Sequence, residues 1–238
     1  MTERLILSTS SISTYLKCHR MYLYSNVYRV TGGQSLPAIL GIAVHAAVET
    51  LWKSPKRPSS VLEKTFADEL TRVPLPYEEN PEAVLADGQR MYTTYVQKVA
   101  PTFTPTLIEE KFSIDVDGVA VSGTIDAADD DIHDLKTTSM ISKFDPASYG
   151  LQLNLYRLGF KFLTGSWPKR LLLDVLPRRG NFTYKQYEVP VETQDALDVI
   201  GLVNTGIMEG NFDATGAING ACRFCPYREI CPSASPIT

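Results

Sequence analysis

The sequence predicts an α/β domain with a helical lobe, on three observations. Apolar residues recur at helical spacing through most of the first hundred positions. A meander of strand-like segments then turns at Asp117-Gly118, and helical and strand-like segments alternate toward the C-terminal end. The chain has 238 residues and 44% hydrophobic content, enough to bury a sizeable core in one domain, 1–238, or in two small lobes. A formal net charge of −4 argues mildly against a nonspecific nucleic-acid coat protein. An enzyme that concentrates acid at its centre needs only a local basic rim. No low-complexity tract or internal repeat interrupts the chain.

Residues 10–24 alternate small and apolar positions behind Ser and Thr, which predicts an early helix holding Cys18. A second helix spans about 37–52 and sets His45 and Glu49 four residues apart on one face. Prolines break the pattern at 54–58. Helices at 59–71 and 81–100 follow, separated by Pro74, Pro76 and Pro81, and make a helical insert over 53–106. Strands at 107–116 and 119–127 flank Asp117-Gly118, a dipeptide suited to a two-residue type I′ turn. If Val116 opposes Val119, pairing positions sum to 235 and Glu109 lies across from Asp126. A turn centred on Asp130 sets Asp126 across from Asp134, and Lys136 shares Asp134's strand face. A helix over 145–163 puts Gln152 and Tyr156 one turn apart. Strands at 170–176 and 184–191, joined through Pro177 to Asn181, and a helix at 193–208 lead by way of Gly210 into a Cys-rich tail.

Glu109, Asp126 and Asp134 therefore form a row across three strands, with Lys136 beside it. Such carboxylates and an ammonium can hold a hard divalent cation, orient a water and stabilise a phosphate gaining negative charge. Carboxylate oxygens favour Mg2+ or Mn2+, and an imidazole in the shell makes Mn2+ more competitive. Each residue alone has a plainer reading. His45 on an apolar helix face reads as a packed histidine, and Gln152 with Tyr156 as helix packing. The run Asp129-Asp130-Asp131 reads as a solvated turn, without metal. Glu49 either orients the His45 imidazole or is an exposed helical carboxylate.

All four cysteines lie near the chain's ends: Cys18, then Cys222, Cys225 and Cys231. Two disulfides are arithmetically possible, but a tight C-x2-C-x5-C cluster suits four thiolates on one metal centre better. Bringing Cys18 to the C-terminal trio closes a loop of more than two hundred residues, at a chain-entropy cost of roughly 5 kcal/mol that metal–thiolate bonds can offset. An iron–sulfur cluster and a structural zinc both accept four Cys, and spacing does not separate them.

These fragments in order resemble the RecB-like branch of the PD-(D/E)XK nuclease superfamily. The likeness is to its iron–sulfur nucleases, which include the CRISPR-associated RecB-like exonucleases and the AddB nuclease domain. It rests on Cys18 with Tyr22, Gly41-x-x-x-His45, Glu109 with Phe112, Gly123-x-x-Asp126, Asp134-x-Lys136, Gln152-x-x-x-Tyr156, and Cys222, Cys225 and Cys231. The resemblance implies a restriction-endonuclease-like core of mixed sheet flanked by helices. It implies metal ligation by His45, Asp126 and Asp134, with Lys136 orienting water or stabilising the transition state. Gln152 and Tyr156 would stand beside the active site, and the four cysteines would hold a 4Fe-4S cluster. Ile125 stands where the motif has proline, and Asp134 where Glu is usual; the shorter side chain shifts metal spacing.

The expected activity is a DNA exonuclease acting on single-stranded DNA or DNA ends. A DNA-end processing subunit of a CRISPR adaptation complex, working with an integrase or recombination partner, and a non-catalytic iron–sulfur DNA-binding module are the alternatives. Arg170, Arg178, Arg179 and Lys185 are expected phosphate contacts, and Tyr15, Tyr22 and Tyr24 expected stacking faces. No G-x-x-x-x-G-K-[ST] loop is present, so unwinding must come from a partner or from frayed ends. The first residues lack a long apolar stretch and no segment approaches a membrane span, so a cytoplasmic protein is expected.

Overall fold

A computed structural model describes residues 5–54, 58–72, 79–180 and 182–234. In chain order the elements are β1 (Ile6–Ser8), α1 (Thr9–Lys17), α2 (His19–Tyr22), α3 (Leu36–Lys53), α4 (Pro58–Leu70) and α5 (Pro81–Lys98). There follow β2 (Leu107–Val116), β3 (Val119–Ala128), β4 (Ile132–Thr138), α6 (Gly150–Thr164), β5 (Leu171–Pro177), β6 (Lys185–Glu188) and α7 (Thr193–Met208). The breaks expected at 54–58, Pro74 and Pro76 lie partly or wholly outside the described residues, as does Asn181.

The chain divides into two units, one of them Gln34–Lys111 with Thr124–Val191. Within it, helix α3 starts at Ser35, whose side chain accepts from the Ala38 amide, and carries Pro37 in its first turn. Its Leu36, Ile39, Leu40, Ala43, Val44, Ala47 and Val48 form one buried stripe at helical spacing. Leu62 and Phe66 of α4, Val84, Met91 and Tyr95 of α5, Leu135 of β4 and Leu176 of β5 join that stripe in one hydrophobic cluster. By length and composition α3 could cross a membrane, contrary to the expectation for every segment. The stripe that gives it this composition is the one packed in the cluster.

The sheet in this unit is mixed. Strand β3 pairs antiparallel with β4, Ala127 opposite His133 and Ala128 opposite Ile132, the register expected of a turn centred on Asp130. Strand β4 runs parallel to β5 over seven residues, with α6 in the connection, and β5 pairs antiparallel with β6. All seven residues of β5 are buried, which its run of leucines anticipates for a strand covered on both faces. Gly165, at φ 77°, ends α6 in the left-handed conformation.

The other unit comprises Met1–Gly33, Phe112–Gly123 and Glu192–Thr238. Strand β1, absent from the sequence reading, pairs parallel with the first half of β3 through Ile6–Ala120, Leu7–Val121 and Ser8–Ser122. It is only three residues long, too short for periodicity to reveal. The expected helix at 10–24 is broken. Cys18 is extended, at φ −166° and ψ 121°, between α1 and α2. Asp117 and Gly118 both have positive φ, 48° and 86°, as a type I′ turn requires.

Candidate functional site

Helix α3 brings His45 to the strand ends because Gly41, one turn earlier, puts no side chain between helix and β4. A Cβ there would lie 3.1 Å from Thr137 Oγ1. His45 Nδ1 is 3.4 Å from Asp126 Oδ2, and the same oxygen accepts from the Leu135 amide at 3.1 Å. Donor atoms of His45, Glu109 and Asp126 all lie within 4.8 Å of one another. Asp134 is fully buried and holds Lys136 Nζ at 2.7 Å from Oδ2. Gln152 Nε2 donates to the Tyr156 hydroxyl at 2.7 Å and reaches Asp134 Oδ1 at 3.5 Å. The sequence-predicted residues thus converge with one rearrangement. Among the described residues Glu109, not Asp134, completes the donor group with His45 and Asp126, and the short Asp134 side chain is paired with Lys136.

A backbone irregularity puts Glu109 there. The turn at Asp117-Gly118 fixes a pairing sum of 235, but Thr106 N donates to Ala128 O at 2.7 Å, a sum of 234. One extra residue therefore sits on β2, and Glu109, at φ 49°, has the positive φ of a bulge. The simple register, with Glu109 directly across from Asp126, is corrected accordingly. Holding a non-glycine residue at this φ costs on the order of 1–2 kcal/mol. Glu109→Gly is expected to raise the melting temperature in chelator while lowering metal-dependent cleavage. A variant that melts lower and cleaves normally would contradict both the strain and the assigned use of the side chain.

Burial dominates the site's protonation. It raises Asp126 against the opposing pull of Lys136 and the Leu135 amide, and raises Asp134 against Lys136 with Asp126 adding to the rise. Glu109 goes from 4.5 to about 7, by burial and then by the Asp126 charge. His45 falls to about 4, by burial and then by Lys136, so it is the neutral imidazole that a metal requires. Burial alone would lower Lys136, but Asp134 and Asp126 outweigh it and keep the ammonium charged. A carboxyl raised in the folded state keeps a proton that the unfolded chain has already lost, so its contribution to stability falls as pH rises through the folded value. The lowered His45 acts the other way, adding stability as pH rises from about 4 to 6.5. Between pH 6.5 and 8 the Glu109 carboxyl is left to titrate among these groups. In chelator the melting temperature should fall across that window, and Glu109→Gln should flatten the fall; a rising wild-type profile would refute it.

A family model described as the PD-(D/E)XK nuclease superfamily matches residues 6–232. The chain belongs to that superfamily. Members of the PD-(D/E)XK nuclease superfamily use divalent metals. No curated protein matches the sequence. Among solved structures the chain is similar to the crystal structure of a "putative exonuclease" from Eubacterium rectale. Identity there is 13% and the TM-score 0.67, over 98% of this chain and 91% of that one. It is also similar to the crystal structure of SSO0001, at 16% identity and a TM-score of 0.53, over 99% and 90%. At these identities the likeness is one of fold.

The unit that holds both ends of this PD-(D/E)XK chain gathers the four cysteines. Cys18 is buried, Cys222, Cys225 and Cys231 are half-buried, and all four line one pocket as free thiols. Burial raises the Cys225 thiol; the Tyr227 amide opposes this, and Cys18, Cys222 and Cys231 add to it. A cation would reverse that bias by favouring thiolate. Gly216 leaves the cradle open, since a Cβ there would lie 3.1 and 3.2 Å from Cys18 Cβ and Sγ. The ends are tied by Arg20 Nε to Phe212 O at 2.7 Å, Tyr15 Oη to Asn211 O at 2.8 Å and Tyr227 Oη to Val30 O at 3.1 Å.

Most substrate contacts expected from sequence are engaged otherwise. Tyr15 and Tyr22 are buried, and Tyr24 packs between Tyr28 and Tyr227. Arg170 grips Asp131 at 2.6 and 3.0 Å, and Arg178 and Arg179 both bind Glu79. Lys185 is exposed. Asp131, expected in a solvated turn, is buried against Arg170, while Asp130 holds Lys169. Donor atoms of Asp129, Asp131 and His133 also lie within 4.8 Å of one another. Several of their polar atoms are engaged: Asp129 Oδ1 accepts from the Asp131 amide, Asp131 Oδ2 holds Arg170, and His133 Nδ1 meets Asp174 Oδ2 at 2.8 Å, while Asp131 Oδ1 is buried without a hydrogen-bond partner. Glu49 pairs with Lys53 at 2.8 Å rather than with His45. Sequence reasoning missed the buried Asp174, which also accepts from Tyr184 at 2.5 Å and Gln186 at 2.9 Å. Its signal was a lone charge in the apolar run Leu171–Pro177.

Proposed function

We propose that this protein is a divalent-metal-dependent DNA exonuclease of the RecB-like branch, acting on single-stranded DNA or DNA ends and carrying a four-cysteine iron–sulfur cluster. The observation that carries the reading is one site built from His45, Glu109 and Asp126, with the Asp134–Lys136 pair on the adjoining strand. A neutral imidazole and two carboxylates suit Mg2+ or Mn2+. When bound, the metal supplies a Lewis acid that acidifies water and neutralises phosphate. Lys136 offers a permanently charged ammonium to the phosphate oxygen that gains charge during attack, and Asp134 fixes its position. Gln152 ties Asp134 to Tyr156 and keeps that carboxylate from swinging away from the lysine.

Thiol placement supports the cluster. All four cysteines line one pocket as free thiols, the donor set that a four-thiolate iron–sulfur centre takes. The test is anaerobically purified protein incubated with end-labelled single- and double-stranded DNA plus Mg2+, Mn2+ or chelator. A metal-dependent ladder growing from one end, from brown protein with visible thiolate-to-iron absorbance, is the expected result. No hydrolysis with either metal would refute the activity, and colourless protein carrying zinc would refute the cluster.

A further inference from the structure

The half-buried rings of Tyr149, Phe144 and Tyr187 form a row that begins at Lys136. Lys136 Nζ lies 5.0 Å from the Tyr149 ring centre. Tyr149 and Phe144 are within 10° of parallel at 5.2 Å, and Phe144 meets Tyr187 at 5.5 Å with 32° between planes. Lys185, exposed on β6, sets its ammonium 4.5 Å from the Tyr187 ring, and the exposed Lys143 precedes Phe144. Asp145, the one carboxylate in residues 139–150, is turned to the Ala147 amide at 3.1 Å.

Tyr95 and Phe66 are covered in the helical core, whereas these three rings keep accessible surface. Unlike Lys169, Arg170, Arg178 and Arg179, which carboxylates hold, Lys185 rests on an aromatic face. Aromatic rings interleaved with ammonium groups suit an unpaired strand: every base has a π-face to stack, and the lysines meet its phosphates. A duplex keeps its bases stacked on one another and cannot use the rings.

We propose that Tyr149, Phe144 and Tyr187, with Lys143 and Lys185, form a stacking track for the unpaired nucleotides adjoining the phosphate at Lys136. The track rests on the nuclease reading and supplies its preference for single strands. The test uses full-length protein in chelator with oligothymidylate carrying 2-aminopurine, whose fluorescence is quenched on stacking, against a blunt duplex. Phe144→Leu and Tyr187→Leu keep apolar bulk while removing the ring, so folding is preserved. Each should weaken single-strand binding about tenfold and relieve the quenching, within the range for loss of one stacked base. Duplex binding should not change, Tyr187→Phe should bind as wild type, and Phe162→Leu, at an exposed ring of α6 outside the row, should have no effect. Leucine variants that bind and quench like wild type, in a protein that cleaves DNA with Mg2+ or Mn2+, would overturn the track alone. Failure of wild type to cleave with either metal would overturn the nuclease reading, and with it the placement of the phosphate.

Discussion

Lys136→Ala is expected to reduce metal-dependent cleavage by at least about 10²-fold, the scale for removing one preorganised group that meets developing charge. The residue has two jobs in the structure. Its ammonium sits 2.7 Å from Asp134 Oδ2 and opposes the rise that burial imposes on both Asp134 and Asp126. Without it, a buried carboxylate pair faces no cation in chelator, and one member takes up a proton at neutral pH. The loss should therefore be steeper near pH 6 than near pH 8, where the carboxylates ionise again. Arginine should not rescue, since a planar guanidinium cannot replace a compact ammonium within this buried contact. Initial rates on end-labelled single-stranded DNA, with melting curves to verify folding, give the answer. Activity within threefold of wild type would remove Lys136 from the chemistry.

Cys18→Ala should cause the largest loss of stability of any single cysteine change. Cys18 alone brings a ligand from the N-terminal end, so its removal opens the loop of more than two hundred residues that the centre would close. A cross-link over so long a loop is worth about 5 kcal/mol, or roughly 15 °C for a chain of this size. Gly216→Ala should act on the same cradle more gently, because the added methyl must displace Cys18 by a few tenths of an ångström. Iron content per chain and anaerobic melting curves test both. A Cys18→Ala protein that melts with wild type and keeps its full metal content would show that the four thiols do not share a centre.

The outline of the candidate site was legible where its parts are local. Asp134 and Lys136 share a strand face by alternation, Gln152 and Tyr156 a helix face by periodicity, and the turn on Asp130 follows from the paired register. The Asp117-Gly118 turn was legible for the same reason, since few residues other than glycine and asparagine or aspartate accept two positive φ angles. Glu109 was placed in the row correctly but for an incomplete reason, because a bulge changes register without leaving a pattern in side-chain polarity. The basic and aromatic residues were the least readable. Whether an arginine meets phosphate or a carboxylate of its own chain depends on partners far away in sequence, as Glu79 is from Arg178.

The sequence by itself determined the order of helices and strands, the carboxylate–lysine motif and the four thiols at the chain's ends. Spacing and periodicity encode these directly, one element at a time. Only the tertiary structure decided that Glu109 rather than Asp134 stands with His45 and Asp126, that Cys18 breaks a helix to face the other thiols, and which cations stay exposed. Those outcomes come from backbone irregularities and from competition among distant groups for the same polar partner, and neither leaves a periodic trace in the chain.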